Sequence, residues 1–310
     1  MYISDSLRGK LGKCAGLERG YYWGLGIEPK IITCTEVSQS VTGMSAEWAK
    51  YLCYGTGPAR PKWIGGNWKC NGTRSQINGI VDTLNGCGKF PLTSEVVICA
   101  PAIHIVSTAA ALRSDISVGA EDVGLNGSGA YTGEHSAAIL KDAGVKWTLA
   151  GHSERRIGFG GPGETSETVA KKTLMALNTG LHVTVCIGEK LSDREAGKTL
   201  EVCVEQLTPV CETIASSDWS RVVIAYEPVW AIGTGVVATP KQAEESHADI
   251  RKWLATKVGA EIAREVRIVY GGSVKGSNCE ELIRCPNIDG FLVGGASLLP
   301  DFVKIIKCTA

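Results

Sequence analysis

Short apolar runs recur along the chain from residue 62 onward, and each is followed by a polar or glycine-bearing turn and then by a helical pattern. The run at residues 222–226 is continuously apolar, which is typical of a strand buried on both faces of a parallel sheet. Eight strands are predicted on this basis, at residues 63–67, 96–100, 116–120, 147–150, 182–187, 222–226, 267–270 and 290–293.

Amphipathic helical stretches separate these runs, the clearest at residues 165–177, 196–214 and 240–258. Thr239 followed by Pro240 is a helix-start signal, a capping hydroxyl before a proline at the first helical position. Eight βα units in about 250 residues predict an α/β fold with a single closed (β/α)8 barrel, the TIM barrel. An open doubly wound sheet is disfavoured because no GxGxxG turn follows an early strand.

The first 61 residues differ from the rest, and we treat 1–61 as an N-terminal extension and 62–310 as the catalytic barrel domain. The extension shows weak periodicity and holds five acids and seven bases. A transit segment should be poor in acids and rich in Arg and Ser, which this segment is not. Two interpretations stay open: a loosely structured, disordered extension, or an organelle leader of unusual composition.

Charge and cysteine content narrow the class of protein. Thirty-two acids balance thirty-two bases, so nothing favours binding to nucleic acid or to an anionic membrane, and no stretch has the apolar length of a transmembrane helix. The twelve cysteines form no CxxC pair, which argues against zinc and favours free thiols in a reducing compartment. We expect a cytoplasmic protein, with a plastid or another organelle as the alternative if residues 1–61 act as a leader.

Chemically useful side chains stand directly after several predicted strands, where parallel α/β barrels place their active sites. Glu227 follows the sixth strand, in the segment AYEPVWAIGTG at residues 225–235. His152 follows the fourth, in HSERR, and Asn67 and Lys69 follow the first, in NWK. The seventh and eighth strands end in YGGS (270–273) and VGGAS (293–297).

These motifs, in this order and at this spacing, resemble the triosephosphate isomerase family over roughly residues 62–308. The resemblance implies a cofactor-free isomerase that interconverts D-glyceraldehyde 3-phosphate and dihydroxyacetone phosphate through an enediolate, in glycolysis and gluconeogenesis. No metal is needed for that reaction, and no metal-ligand spacing is present.

The reaction moves one proton between adjacent carbons, so it needs a base held against a C–H bond. Glu227 is the candidate, desolvated by apolar neighbours. His152, at a helix start where a neutral imidazole is favoured, would donate a hydrogen bond to the developing oxyanion. Lys69 would add a fixed positive charge, and Asn67 a neutral amide donor.

The substrate phosphate needs backbone N–H groups and little bulk, which predicts a binding site from four residues: Gly233, Ser273, Gly294 and Gly295. Three residues are expected to support the site without doing chemistry: Ser153, Glu154 and Cys186. His104, His135, His182 and His247 have no partner pattern and receive no role.

The resemblance further implies a homodimer in which residues 119–136 form a loop that docks into the neighbouring subunit. Thr132 and Glu134 would then reach toward Asn67, Lys69 and Arg155 of the other copy, and Cys70 would lie under the loop. Three features depart from the family pattern: Glu121-Asp122 in place of Gln-Asn, Val236 in place of a common Lys, and a longer stretch at 158–163.

Two other functions compete with this interpretation: a different phosphate-binding barrel enzyme, and a barrel without catalytic activity. Another phosphate-binding barrel enzyme would carry different residues at its strand ends, and the triplet of Lys69, His152 and Glu227 argues against it. A catalytically silent barrel retained as a binding or scaffold protein would be indicated by a broken triplet, and the triplet is intact.

Overall fold

Eight parallel strands close on themselves in chain order, from β1 beside β2 round to β8 beside β1. The computed structural model describes residues 60–232 and 237–309. Almost all of the predicted extension, and Gly233 and Val236, therefore lie outside the described residues. The strands are β1 Lys62–Asn67, β2 Ser94–Ala100, β3 Ile116–Ala120, β4 Trp147–Ala150, β5 His182–Ile187, β6 Val222–Tyr226, β7 Arg267–Tyr270 and β8 Gly290–Val293.

The predicted closed barrel is confirmed, and the strand ends differ from the prediction only in β1 and β2. Both begin earlier because their paired backbones run past the apolar stretch, with Lys62 opposite Ser94. The polar start of β2 has a structural use. Glu95 accepts hydrogen bonds from the Arg267 guanidinium at 2.9 Å and from the Trp147 indole at 3.0 Å, which ties strands together at their amino ends.

Helices cover the outside of the barrel between the strands. They are α1 Arg74–Gly86, α2 Ile105–Ala111, α3 Ala137–Asp142, α4 Ser153–Ile157, α5 Ser166–Asn178, α6 Leu191–Glu195, α7 Thr199–Thr213, α8 Pro240–Val258, α9 Ala260–Glu265, α10 Cys279–Ile283 and α11 Asp301–Lys307. Short 3₁₀ turns lie at Ala102–His104, Ser216–Arg221, Val229–Ala231 and Gly295–Leu298.

One predicted helix begins later than expected. The pattern predicts a helix over 196–214, but Gly197 has φ of 72°, and α7 begins only at Thr199. The long helix α8 agrees with its prediction at both ends, and the Thr239 hydroxyl accepts the Gln242 N–H as its cap.

The barrel interior is filled by side chains of alternating size. Trp63 and Trp147 pack with ring centroids 5.5 Å apart. Their bulk is accommodated by glycine, because a Cβ on Gly65 would lie 2.1 Å from the Trp63 ring. The rest of this core is apolar, comprising Val97, Cys99, Leu149, Cys186, Val223, Ala225, Val269 and Leu292. A solid core leaves the strand ends as the place where a ligand can bind.

Within the described ranges, no helix has the length and apolar character that crossing a bilayer requires.

Candidate active site

The end of β1 supplies Asn67 and Lys69, and Lys69 adopts a backbone conformation that is unusual for a residue with a side chain. Its φ is 54°, in the left-handed region. Its backbone N–H donates to Asn67 Oδ1 at 3.1 Å, and its Nζ lies 2.7 Å from Glu154 Oε1. A left-handed backbone conformation of this kind costs about 1–2 kcal/mol. The ion pair with Glu154 fixes the direction of the ammonium group.

His152 follows β4 and caps the first turn of α4. Its Nδ1 accepts the backbone N–H of Glu154 at 3.2 Å, which places the ring proton on Nε2. The turn before it depends on Gly151, which has φ of 70° and where a Cβ would meet Val169 at 2.7 Å. The predicted helix-start position of His152 is therefore present, and its donor nitrogen points away from the helix.

Glu227 follows β6, and only 2% of its surface is exposed. Its Oε1 lies 3.0 Å from His152 Nε2, and its Oε2 accepts the backbone N–H of Ser153 at 3.0 Å. Gly271 makes room for this side chain, since a Cβ there would lie 2.8 Å from Glu227 Cγ. Both carboxylate oxygens thus have defined partners, and Ser153 contributes through its backbone.

The protonation of His152 is set by opposing influences. Burial lowers its pKa, whereas the charge and hydrogen bond of Glu227 raise the pKa, and the balance lies above the ordinary value. The bond at Nδ1 acts in the other direction, because that nitrogen uses its lone pair as an acceptor. The raised pKa therefore depends on Glu227 remaining in direct contact with the ring.

A cavity of about 250 Å³ joins these groups to the ends of β7 and β8. Gly294 begins the 3₁₀ turn Gly295–Leu298, so backbone N–H groups face this part of the cavity. Ser273 Oγ donates to the carbonyl of Ala231 at 2.9 Å. The structure thus brings together the described residues predicted to act on or hold the substrate, in one cavity lined by Asn67, Lys69, His152, Glu227, Ser273, Gly294 and Gly295.

Sequence reasoning missed two residues beside these. Lys275 lines the same cavity, two positions after Ser273, where its place next to YGGS was the available signal. Arg156 joins β4 to β5: its guanidinium donates to the carbonyl of Gly151 at 2.8 Å and of Cys186 at 3.0 Å. Burial lowers the pKa of Arg156. Cys186 is fully buried in β5 and contacts Arg156 through its backbone carbonyl.

A buried carboxylate also holds the segment that leads away from Glu227. Glu189 is fully buried, and its Oε1 accepts from the Tyr226 hydroxyl at 3.0 Å and from the Trp230 indole at 2.9 Å. These bonds anchor the backbone on both sides of Glu227, which restricts the position of its side chain.

A second cavity, of about 330 Å³, adjoins the site and is lined by residues that the family resemblance assigns to a subunit interface. Cys70, Glu134 and Arg155 line it, together with Glu121 and Asp122. Cys70 and Glu134 are exposed, as is Thr132 nearby.

The acidic pair Glu121-Asp122 occupies two different environments. Asp122 belongs to a closed ring of ion pairs with Lys172 at 2.7 Å and Arg155 at 2.9 Å, and Glu164 contacts both cations at 2.7 and 2.8 Å. Glu121 makes no ion pair within the described residues, and its Oε1 is buried there without a hydrogen-bond partner. Burial raises the pKa of Glu121 to about 8.

Comparison with known proteins gives one family. The family model described as triosephosphate isomerase matches residues 62–309. The chain is 50% identical over 248 residues to the triosephosphate isomerase of Paracoccidioides lutzii, covering 80% of this chain and 98% of that protein. It is 50% identical over 250 residues to that of Candida albicans, with 80% and 98% covered. It is 49% identical over 250 residues to a rice protein named "Triosephosphate isomerase, cytosolic", with 80% and 96% covered.

Proposed function

The chain belongs to the triosephosphate isomerase family, and from that premise we propose how its residues divide the interconversion of D-glyceraldehyde 3-phosphate and dihydroxyacetone phosphate. The observation that carries the proposal is the 3.0 Å contact between His152 Nε2 and Glu227 Oε1, inside a cavity whose far end is glycine backbone. A silent scaffold would have no need of a buried carboxylate aligned with an imidazole donor.

Glu227 is the base that removes a proton from one substrate carbon and returns it to the neighbouring carbon. In the structure its Oε1 faces His152. We propose that substrate enters between the two side chains, so that its oxygens take the His152 hydrogen bond and Oε1 turns toward the C–H bond. Burial of the carboxylate keeps water away from the proton in transfer.

His152 donates its Nε2 proton to the substrate oxygens as they gain negative charge in the enediolate. Once substrate separates it from Glu227, the main influence that raises its pKa is weakened, while burial and the Lys69 charge continue to lower the pKa. The ring then acts as a neutral donor. Lys69 stabilises the same negative charge from its fixed position, and Asn67 adds the N–H groups of its amide, since its Oδ1 already accepts from Lys69.

The phosphate group binds at the opposite end of the cavity. Backbone N–H groups of Gly294 and Gly295 hold it where the 3₁₀ turn begins, and Ser273 adds its backbone N–H. The Ser273 hydroxyl can also donate to the phosphate once it releases the carbonyl of Ala231. Gly233 is proposed to complete this site on the basis of sequence alone. Small residues are needed here because only they allow backbone to approach the phosphate oxygens closely.

We propose that two copies form a homodimer through the second cavity and the loop at residues 119–136. The support is the cavity of about 330 Å³ beside the site, lined by Cys70, Glu134 and Arg155. Thr132 is exposed near the loop tip, where it can enter the equivalent cavity of another copy. Such a contact would steady Lys69 and Asn67 in each active site.

The pathway and compartment follow from the reaction and from the relatives. We propose that the protein serves glycolysis and gluconeogenesis, and that it does so in the cytoplasm. The compartment is proposed because the name of the rice relative describes that protein as cytosolic. An organelle location through residues 1–61 is the alternative. N-terminal sequencing of the mature protein from cells separates the two.

Proton transfer is tested by incubating the purified protein with dihydroxyacetone phosphate in D₂O and following the products by NMR. We expect interconversion together with deuterium on the carbon that exchanges its proton with Glu227. The Glu227→Gln variant should fold with an unchanged circular dichroism spectrum and lose both. Isomerisation and exchange that persist in this variant would contradict the assignment of the base.

A further inference from the structure

The charged side chains that line the substrate cavity are few, and most already have partners. Lys69 is paired with Glu154 at 2.7 Å, and Glu227 contacts His152 at 3.0 Å. Lys275 lines the same cavity from the loop after β7, and its side chain is exposed. Within residues 60–232 and 237–309, its ammonium group forms no ion pair or side-chain hydrogen bond.

The backbone that carries Lys275 is well anchored although its side chain is exposed. Its N–H donates to Asn278 Oδ1 at 2.8 Å, and Asn278 Nδ2 donates to the carbonyl of Ser273 at 3.0 Å. The next residue, Gly276, donates its N–H to Asp301 Oδ2 at 2.7 Å. The loop therefore presents Lys275 beside the phosphate-binding residues from a fixed base.

The substrate phosphate carries close to two negative charges, so its entry depends on the net charge around the cavity. The positive charge of Lys69 is already matched by Glu154, so the carboxylate of Glu227 leaves a negative charge beside the cavity. The ammonium of Lys275 at the rim offsets that negative charge and so favours the approach of a dianion. Lysine suits this use because its ammonium is a compact point charge on a flexible stem.

We propose that Lys275 is a substrate-binding residue that attracts the phosphate dianion to the cavity and contacts it at the rim. This inference rests on the proposed function, and it adds a charged side chain to a phosphate site otherwise built from backbone and a serine hydroxyl. The contribution belongs to capture of the substrate. It therefore affects kcat/KM and the binding of inorganic phosphate, and leaves kcat nearly unchanged.

The test compares Lys275→Gln, Lys275→Glu and Lys275→Arg with the full-length wild-type chain. At an ionic strength of about 0.01 M, where the Debye length is about 30 Å, we expect Lys275→Gln to lower kcat/KM by about three- to tenfold. Lys275→Glu should lower it further, and Lys275→Arg should retain most of it. The differences should shrink toward about twofold at 0.3 M salt, with kcat within about twofold throughout. The inhibition constant of inorganic phosphate should rise in the same order.

Lys89 provides the charge-matched control. It is exposed and lies in the loop before β2, at the amino ends of the strands and thus on the far side of the barrel. Lys89→Gln and Lys89→Glu change the net charge equally and should leave kcat/KM within about twofold.

The proposal would be overturned if kcat/KM and phosphate inhibition stayed within twofold in both Lys275→Gln and Lys275→Glu at low salt, or if the Lys89 variants showed an equal loss. A loss confined to kcat would also overturn it. Failure of this inference would leave the isomerase assignment standing, because the loss of exchange in Glu227→Gln is measured independently.

Discussion

At the scale of single residues, the site depends on side chains whose orientation is fixed by backbone groups. The backbone N–H of Ser153 donates to the Glu227 carboxylate, and the backbone N–H of Glu154 donates to the His152 ring. The left-handed backbone of Lys69, with φ of 54°, sets the direction in which its side chain leaves the main chain. Side-chain identity alone would leave these groups free to rotate. Their backbone partners convert suitable residue types into a preorganised site.

Shortening the base should separate its chemistry from its structural contribution. We expect Glu227→Asp to fold but to lose about a hundredfold in kcat, because withdrawing the carboxylate by one methylene moves it by about 1 Å. Steady-state kinetics in both directions measure this loss. Glu212→Asp, at an exposed ion pair with Lys257, is the control and should match wild type. Normal kcat in verified Glu227→Asp protein would be incompatible with Glu227 as the base.

Glu121 should make the protein less stable as the pH rises. Burial raises its pKa to about 8 from an ordinary value of 4.5, so between these values the folded chain keeps a proton that the unfolded chain releases. Stability from this group therefore falls as the pH rises from 4.5 to 8 and stays low above 8. Glu121→Gln should remove the penalty and stabilise the protein by about 1–2 kcal/mol at pH 9, after allowance for solvent screening.

Urea unfolding at pH 5, 7 and 9, at one protein concentration, checks this expectation. The gain from Glu121→Gln should be small at pH 5 and largest at pH 9. The exposed Glu205 serves as control, and Glu205→Gln should show no such trend. A gain that is equal at all three pH values would rule out titration of Glu121 as its cause.

At the scale of elements, the strand ends and the tight segments after them do most of the positioning. The five-residue helix α4 directs His152 and the Ser153 N–H toward Glu227. Gly271, after β7, leaves the space that the Glu227 side chain occupies. These segments contain little regular structure, yet they determine distances of about 3 Å across the site.

Adding one methyl group to the segment after β7 should disturb the base without removing it. In Gly271→Ala the new Cβ would lie 2.8 Å from Glu227 Cγ, so the carboxylate must shift. We expect kcat to fall about 10- to 100-fold and the free energy of unfolding to fall by about 1–2 kcal/mol. Kinetics and urea unfolding measure the two effects.

Gly79 is the matched control for that substitution. It lies in α1, and a Cβ there would meet nothing within 4 Å. Gly79→Ala should therefore leave kcat unchanged and raise the free energy of unfolding by about 0.5–1 kcal/mol, because alanine loses less backbone freedom on folding. Equal activity in the two variants would show that Gly271 does not constrain the carboxylate.

At the scale of the whole molecule, two features can be changed independently: the proposed association of two copies, and the presence of residues 1–59. The proposed interface cavity shares Asn67, Lys69 and His152 with the substrate cavity, so a change in assembly should alter catalysis. Arg60 is the first described residue, two positions before β1, and its guanidinium pairs with Asp289 at 2.6 Å.

Placing a charge at the loop tip should weaken the dimer. In Thr132→Lys a long charged side chain would be buried near Lys69 of the other copy, where Glu154 already pairs with Lys69 and Asp122 already pairs with Lys172. We expect sedimentation to show a larger monomer fraction and specific activity to fall on dilution. Thr132→Ser keeps the hydroxyl and should behave as wild type. Full activity in a monomeric Thr132→Lys protein would exclude sites completed at the interface.

Removing residues 1–59 should leave a folded and active protein, since all eight strands of the closed barrel lie after residue 59 and the Arg60–Asp289 ion pair is retained. Circular dichroism, sedimentation and kcat of the truncated chain are the measurements. An inactive or insoluble product would show that residues 1–59 contribute to the fold.

The eight strands, their order along the chain and the residue types at their ends could be predicted from the sequence alone. Strands buried on both faces are mostly apolar, so short apolar runs indicate them, and the motifs after β1, β4, β6, β7 and β8 gave the candidate catalytic groups. The late start of α7, after Gly197, was missed because the helical periodicity of the sequence extends back across that glycine.

Which residues distant in sequence come into contact depends on the closed barrel. Asp122 pairs with Lys172, 50 residues away, whereas the adjacent Glu121 has a buried oxygen with no hydrogen-bond partner among the described residues. The contact of His152 with Glu227 and the place of Lys275 at the cavity were likewise set by the closed barrel. Such pairings depend on which strand ends meet in three dimensions, and local periodicity carries no information about the distances between them.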